Sequence, residues 1–361
     1  MCRFLIIIGI CFAQVSMSAQ IGGSRVYPFL NFSYSARQSA LGGSLISVND
    51  DDPSLIIYNP SSISEQHHHS LLLHFTDYFT TTGYGSVLYS HTFKHAGSFA
   101  FEARCVQYGT FNGMDEWGYE TGHFTAGDCA LTAAWGRTLS EHFSIGASLK
   151  LLFSGYESYN SFGFATDVSG SFFSKEKQLS LTLLFKNLGS ELKPFSPGQY
   201  QKIPFDIQLA LSHRFKYIPV RYHISLHSLY RWEMGDNSLY TPFYQTDVLT
   251  GEINYPTRFA HFADNFFRHI IFGLEIEPVK YLALHCSYNH DMHQEMRIPQ
   301  RKTIAGFAYG FTVNIYSIRV GFSRVHYAAG AVPNYFTFSA NIDELTKLYA
   351  KNKKKKLQRI E

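Results

Sequence analysis

From about residue 70 onward the chain alternates between apolar and polar or small positions. Phe143, Ile145, Ala147, Leu149, Leu151 and Phe153 interleave with Ser144, Gly146, Ser148, Lys150 and Leu152. Phe205, Ile207, Leu209 and Leu211 interleave with Asp206, Gln208, Ala210 and Ser212, and Leu179, Leu181, Leu183 and Phe185 with Ser180, Thr182 and Leu184. Ala305, Phe307, Tyr309, Phe311 and Val313 oppose Ile304, Gly306, Ala308, Gly310 and Thr312. A period of two is the mark of strands whose faces meet different surroundings. Such segments recur near 70–76, 86–93, 97–107, 126–138, 142–154, 159–173, 178–187, 203–215, 221–231, 268–277, 280–290, 300–313, 315–328 and 333–342. They number about fourteen, and many are near the roughly ten residues a tilted strand needs to cross a bilayer.

The connections alternate in length. Short turns fall at 94–96, 139–141, 174–177, 216–220, 278–279 and around Asn314; longer loops fall at 77–85, 108–125, 188–202, 232–267 and 291–299, with milder ones near Glu157 and Ala329. This alternation predicts an all-β fold, a transmembrane antiparallel β-barrel of about 14 strands, with periplasmic turns, surface loops and both termini periplasmic. A soluble two-sheet sandwich also alternates its faces but explains the loop lengths poorly. Tyr108, Trp135, Tyr156, Tyr230, Trp232, Tyr281, Tyr288 and Tyr327 lie near strand ends, where they suit aromatic girdles at the membrane interfaces.

Composition agrees with this reading and narrows it. The 361 residues are 45% hydrophobic, 16% aromatic and 16% charged, which argues against disorder. A mean hydropathy of −0.12 is too polar for a bundle of membrane helices, which needs several apolar runs of roughly 18 residues or more. A net charge of +3 is too small to indicate nucleic acid. At the N-terminus, Arg3, the apolar run 4–13 and Ala19 read as a signal peptide over residues 1–19 and as export. The remaining Cys105, Cys129 and Cys286 are odd in number and widely spread. They predict buried or lipid-facing thiols and no disulfide framework.

Two parts stand outside the strand pattern. Residues 20–69 carry turn and cap signals, with Asp52 placed to cap a short helix that opens on Pro53 and Asn59-Pro60 placed to end it. The block precedes the first strand of the 70–342 barrel and is expected to form a hatch or plug within it. Residues 343–361 form a Lys-rich basic tail, expected in the periplasm.

The signature Ser35-Ala36-Arg37, Ala40-Leu41-Gly42-Gly43, Ile46-Ser47, Asp50, Asp51 and Asp52, and Asn59-Pro60 resembles the N-terminal block of the FadL-like outer-membrane barrel superfamily. With Gln20-Ile21-Gly22-Gly23 and Tyr27-Pro28-Phe29-Leu30 it is most similar to the PorQ family of the type IX secretion system. The chain departs from the superfamily's Asn-Pro-Ala-Leu-Leu by reading Asn59-Pro60-Ser61-Ser62-Ile63. The resemblance implies a fourteen-stranded barrel with a hatch, in the outer membrane of a Gram-negative bacterium. It also implies a role in the cell-surface attachment complex with a PorU-like sortase, a PorV-like barrel and a PorZ-like surface protein, where cargo is joined to anionic lipopolysaccharide. The alternative is a FadL-like transporter of hydrophobic small molecules entering past the hatch.

Catalytic signatures are missing: the chain holds no His-Glu-x-x-His helix, phosphate-cradling Gly loop, Gly-x-Ser-x-Gly elbow or Cys-x-x-Cys pair. The expectation is a non-enzyme without cofactor or metal. His67-His68-His69 reads as loop histidines, since neighbouring strand residues point to opposite faces and do not converge. His285, His290, Asp291 and His293 fall at a strand end and loop where a surface metal site is conceivable, but their mixed spacing reads as a polar loop, and His213, His223 and His227 read as ordinary lumen residues. The 232–267 loop carries Tyr240, Phe243, Tyr244, Tyr255, Phe259, Phe262, Phe266 and Phe267. That aromatic load suits a lid over the barrel mouth or a surface for a partner. The 108–125 loop, with Phe111, Met114, Trp117, Tyr119 and Phe124, is expected to share the same outer surface.

Overall fold

The computed structural model describes residues 25–234, 245–246, 253–254, 257–296, 303–328 and 330–357. The signal-peptide segment, Gln20-Ile21-Gly22-Gly23, Tyr240, Phe243, Tyr244 and Tyr255 lie outside the described residues. Among those described, fourteen antiparallel strands close into a barrel. They are β1 (Ser70–Asp77), β2 (Gly83–Phe93), β3 (Gly97–Met114), β4 (Glu120–Thr138), β5 (Phe143–Tyr156), β6 (Tyr159–Ser174) and β7 (Leu179–Lys193). The ring continues with β8 (Asp206–Arg214), β9 (Val220–Leu226), β10 (Ile270–Val279), β11 (Leu282–Asn289), β12 (Phe307–Ile315), β13 (Ile318–Val325) and β14 (Asn334–Asn341). Each strand pairs with the next, and β1 closes on β14, with Ser70 opposite Asn341 and Asp77 opposite Asn334. Closure pairs each strand with a neighbour on both sides over the length the two share, as hydrocarbon requires.

The alternation sorts as expected. Leu73, Phe75, Phe101, Leu149, Leu151, Phe153, Phe272, Phe311, Phe336 and Phe338 face outward and are exposed, while Ser148, Lys150, Thr182, Gln208, Ser212, Glu275 and Thr337 face inward and are buried. The apolar outside and polar inside belong to a wall standing in lipid. No described helix is long and apolar enough to cross a membrane.

Some boundaries move. The expected 108–125 loop is largely strand, because β3 and β4 continue as a hairpin that turns only at 115–119. The strand expected over 221–231 stops at Leu226, where the His227 N–H donates to His269 O at 3.0 Å and turns the chain across the barrel end. The strand expected from residue 300 begins at Phe307. Part of the long 232–267 loop is a helix, α2 (Arg258–Arg268), which packs beside α3 (His290–Met296). The basic tail is helical too: α4 (Ile342–Leu357) follows β14 directly at the short-turn end.

Cys105 and Cys129 correct the cysteine reading. They lie directly opposite in the β3–β4 ladder, with Cα atoms 4.2 Å apart, and form a disulfide. Spacing along the chain does not reveal this; strand register does. Cys286 is a free, exposed thiol on the outer face.

Candidate functional site

Residues 25–69 run through the inside of the barrel. At the long-loop end, the Val26 N–H donates to Lys202 O at 3.1 Å, and Tyr27 Oη lies 2.5 Å from Ser161 Oγ. The chain then descends past α1 (Ala36–Ala40), whose N-cap Ser35 accepts from the Gln38 N–H. Small residues permit a close approach: a Cβ added to Gly310 would stand 3.0 Å from Ala40 Cβ, and one on Gly321 3.3 Å from Ala36 Cβ. The Ala36 N–H donates to Thr337 Oγ1 at 2.8 Å. Gly42 ends this helix at φ +85°, and a Cβ there would fall 2.3 Å from Ile271 Cγ2. Leu41 packs with Leu45, Val48 and Leu55.

Asp52 caps the one-turn helix Pro53–Leu55, as expected, by accepting from the Ser54 N–H at 3.0 Å. Asn59-Pro60 opens a second such helix, Pro60–Ser62, in which Asn59 Oδ1 accepts from the Ser61 N–H at 3.1 Å. This turn presses on Gly136 and Gly146 near the short-turn end. The described chain therefore begins with Arg25 at the long-loop end and finishes with α4 at the opposite end.

At mid-barrel the segment is held by charge. Arg37 Nε donates to Glu275 Oε2 at 2.9 Å, and its Nη2 to Glu275 Oε1 at 2.9 Å. Arg37 Nη2 also reaches Asp50 Oδ2 at 2.7 Å, and Nη1 reaches Asp52 Oδ2 at 3.0 Å. Arg221 on β9 bridges Asp50 and Glu275 at 2.9 Å each. Arg319 on β13 holds Asp51 and Asp52 at 3.1 Å each, and His285 Nδ1 stands 3.0 Å from Glu275 Oε2. Burial opposes the charge on Asp52, yet the Arg319 and Arg37 guanidiniums outweigh it and hold the carboxyl at about 2. Burial likewise opposes the charge on Asp50, but Arg37 and Arg221 keep its carboxyl well below the ordinary range. Buried charges of this kind stay ionised only when paired.

A second charged cluster lies nearer the long-loop end. Lys150 Nζ meets Asp167 Oδ2 at 2.6 Å and donates to Asn187 Oδ1 at 2.8 Å. Arg104 pairs with Glu102, and its guanidinium lies 4.9 Å from the Tyr34 ring centre. Tyr108 and Tyr156 turn inward and donate to Asp128 at 2.6 and 2.9 Å. Tyr327 packs inside against Tyr78. These three are lumen residues and not members of an outer girdle. Trp135 does sit at a strand end, donating to Ala96 O at 2.8 Å.

The wall is low on one side. β3 to β7 run 18, 19, 14, 16 and 15 residues, whereas every strand from β8 to β14 has 7 to 10 and β1 has 8. The β7–β8 ladder ends at Lys186 opposite Asp206, so β7 beyond that point is covered by the 194–205 connection. Asn187 Nδ2 donates to Pro204 O at 2.9 Å, and Glu191 Oε2 accepts from the Gln201 N–H at 2.9 Å. Residues 25–27 lie against this connection, with Arg25 a bridge partner of Lys202 and hydrogen-bonded to Tyr230. Beside the luminal segment is a cavity of about 30 Å³ lined by Ser33, Gly42, Asn289, Met292, Tyr327 and Tyr335.

The signature residues thus share one region. Ala36, Ala40, Leu41 and Gly42 fit α1 to the wall, Gly43 closes the helix end by donating its N–H to Gln38 O at 2.8 Å, Arg37 with Asp50, Asp51 and Asp52 forms the charged latch, and Asn59 and Pro60 seat the lower turn. Sequence reading missed the wall partners Arg221, Glu275, His285 and Arg319; a charged residue on the lumen face of a strand was the available signal. The histidine group also resolves differently. His285 joins the latch, His290 Nε2 lies 3.0 Å from Asp264 Oδ1, and His293 Nδ1 lies 2.8 Å from Ala305 O, so they do not converge. His68 and His69 do converge, against expectation, because they precede β1 and His69 has φ +53°. Of the loop aromatics, Phe259 is exposed on α2, and Phe262 packs on Trp232 with ring centres 5.1 Å apart.

No family model and no curated protein matches the chain. Among solved structures it is similar to the Pseudomonas putida toluene transporter TodX, at 12% identity over 86% of this chain and 99% of that one, with a TM-score of 0.51. It is similar at the same identity and coverages, with a TM-score of 0.50, to a TodX deltaS2S3 mutant described as a monoaromatic hydrocarbon channel. A Pseudomonas aeruginosa FadL homologue matches at 11% identity over 85% of this chain and 97% of that one, with a TM-score of 0.44. Among the described residues the chain has the closed fourteen-strand fold of Gram-negative outer-membrane barrels, shared with the TodX structures.

Proposed function

We propose that this chain is a FadL-type outer-membrane barrel that passes small hydrophobic compounds, with its own N-terminal segment as the gate. The observation that carries this reading is the step in the wall where β7 outruns β8, closed by residues 25–27 and the 194–205 connection in place of a strand ladder. Parting a ladder strands many backbone groups in hydrocarbon. A closure of loop and N-terminal residues has few such bonds to lose. Phe205 packs on Tyr230 with ring centres 5.6 Å apart, and Tyr27 and Phe29 are buried edge to face at 6.3 Å, so a shift of this segment would open a passage lined by apolar rings. The solved neighbours named a toluene transporter and a monoaromatic hydrocarbon channel favour the same reading. The state described is closed, and passage requires the segment to shift from the latch.

The test is uptake of labelled toluene by proteoliposomes carrying an Arg25→Cys/Lys202→Cys variant. Uptake by the reduced form that stops on cross-linking supports the gate. Uptake no faster than in empty vesicles, in both forms, rejects it.

A second reading, in which the barrel anchors a type IX secretion attachment complex, has its own support in α2. Asn265 and Arg268 are buried, and Arg268 binds Asp264 at 2.6 Å and Asp291 at 3.1 Å, so the helix docks by its polar side. Phe259, Phe262, Phe266 and Phe267 remain exposed, as do Phe111, Met114, Trp117 and Tyr119 on the β3–β4 hairpin. Aromatics displayed this way are the residues that dominate protein interfaces. Capture of the tagged protein from native outer membranes decides this reading. Recovery of a PorU-like sortase, a PorV-like barrel and a PorZ-like surface protein, reduced in a Phe259→Ser/Phe262→Ser variant, supports it. Recovery of bound hydrophobic compound without those proteins favours passage.

A further inference from the structure

The geometry points to a divalent transition-metal site of the zinc class at the short-turn end of the barrel, formed by His68, His69 and His91. One ligand nitrogen from each of the three rings lies within 4.8 Å of the other two. The His68 and His69 rings stack at 3.8 Å, and His91 stands 4.8 Å from the first and 5.0 Å from the second. Neighbours in sequence share this spot because the one-turn helix Glu65–His67 ends just before them and His69 takes a left-handed backbone. His67 goes the other way: it is buried, with Nε2 3.1 Å from Asp50 O. His91 arrives from β2, whose ladder with β1 ends at Tyr89 opposite Leu71.

The surroundings suit a metal. His69 Nδ1 lies 2.8 Å from Asp343 Oδ1, so a proton on Nδ1 is held by the carboxylate and the Nε2 lone pair is free for an ion. A carboxylate behind a ligating imidazole is the usual outer support of such sites, fixing the tautomer and raising the basicity of the ring. Imidazole suits zinc, copper and nickel. Zinc binds ring nitrogens at about 2.0–2.1 Å, so the three nitrogens must draw together by roughly 1 Å or more. All three rings are half-buried at the rim, and the stacked His68 and His69 rings must swing their in-plane lone pairs toward a common point to share an ion. His68 Nδ1 now accepts from the Thr92 N–H at 3.0 Å, and metal entry exchanges that bond for the ligand bond, leaving the amide to water. Three imidazoles leave a fourth position for water. The site joins three parts of the chain: the end of the luminal segment, wall strand β2 and, through Asp343, helix α4. An ion there would pin all three.

The experiment is zinc titration of the full-length, untagged protein in detergent, stripped with chelator, followed by isothermal calorimetry and by metal content after gel filtration. Wild type is expected to hold one more zinc per chain than His69→Ala/His91→Ala, and Asp343→Asn is expected to bind about 10–100-fold more weakly. Heat-modifiable migration of each variant confirms a closed barrel. Equal zinc content in wild type and a folded double variant overturns the site. If the double variant does not fold, His91→Gln alone serves: unchanged zinc affinity in that variant overturns it equally.

Discussion

Arg37 from the luminal segment and Glu275 from wall strand β10 meet in a two-bonded pair, both bonds 2.9 Å, with both side chains buried. They are 238 positions apart in the chain. The planar guanidinium matches the carboxylate with parallel donors, and its remaining donors reach Asp50 and Asp52, so one side chain ties two parts of the segment to the wall.

Arg37→Met is expected to leave Asp50, Asp52 and Glu275 short of positive charge. Removing one partner from a buried pair costs about 3–5 kcal/mol. The barrel ladders do not depend on Arg37, so the loss should appear as protease cleavage within residues 25–69 while heat-modifiable migration persists. Arg37→Lys should be intermediate, since a point charge cannot make the fork. Cleavage of both variants at the wild-type rate would show that the segment is held by packing alone.

The latch should fail in acid. Asp52 titrates at about 2 in place, against about 3.9 for a free aspartate. Its folded value is depressed, so its stabilisation is fully present above about pH 4 and is lost as pH falls toward about 2. The difference amounts to roughly 2 kcal/mol. Protease sensitivity of residues 25–69 should be flat from pH 5 to pH 7, rise below pH 4, and rise less steeply in Asp52→Asn.

Gly146 marks a close approach of wall and segment. A Cβ there would lie 2.2 Å from the Pro60 carbonyl carbon. Gly146→Val is expected to push the Asn59-Pro60 turn off the wall, at about 1–3 kcal/mol for overpacking. Gly170 has nothing within 4 Å of an added Cβ, and Gly170→Ala should be neutral. Thermal midpoints of the two variants compare them directly.

The disulfide separates the three described cysteines. Non-reducing digestion and mass spectrometry should yield a peptide pair linking Cys105 to Cys129, with Cys286 alone alkylated under denaturing conditions without reductant. Alkylation of all three would remove the bond.

The plug and its signature were legible from residues 35–60 because turn chemistry is local. Asp52 before Pro53, Asn59 before Pro60 and the paired glycines Gly42-Gly43 each act within a few positions, and each occupies a cap or turn. The partners were not legible. Glu275, Arg221 and Arg319 are single charges on strands far along the chain, and nothing nearby marks them as facing Arg37. The cysteines, His68 and His69 were misread, and His91 was not singled out, for a related reason. Their contacts depend on which residues stand opposite across a ladder, and on a left-handed turn just before β1.

By itself the sequence determined the class of the fold, the strand count and which face of each strand meets lipid. A period of two is a local property, and a bilayer imposes it on every strand alike. Tertiary structure alone decided what the inward faces do, because register and closure bring residues hundreds of positions apart to within 3 Å. The charged latch follows from that closure, while the Cys105–Cys129 bond, between outward-facing residues 24 positions apart, follows from the β3–β4 register.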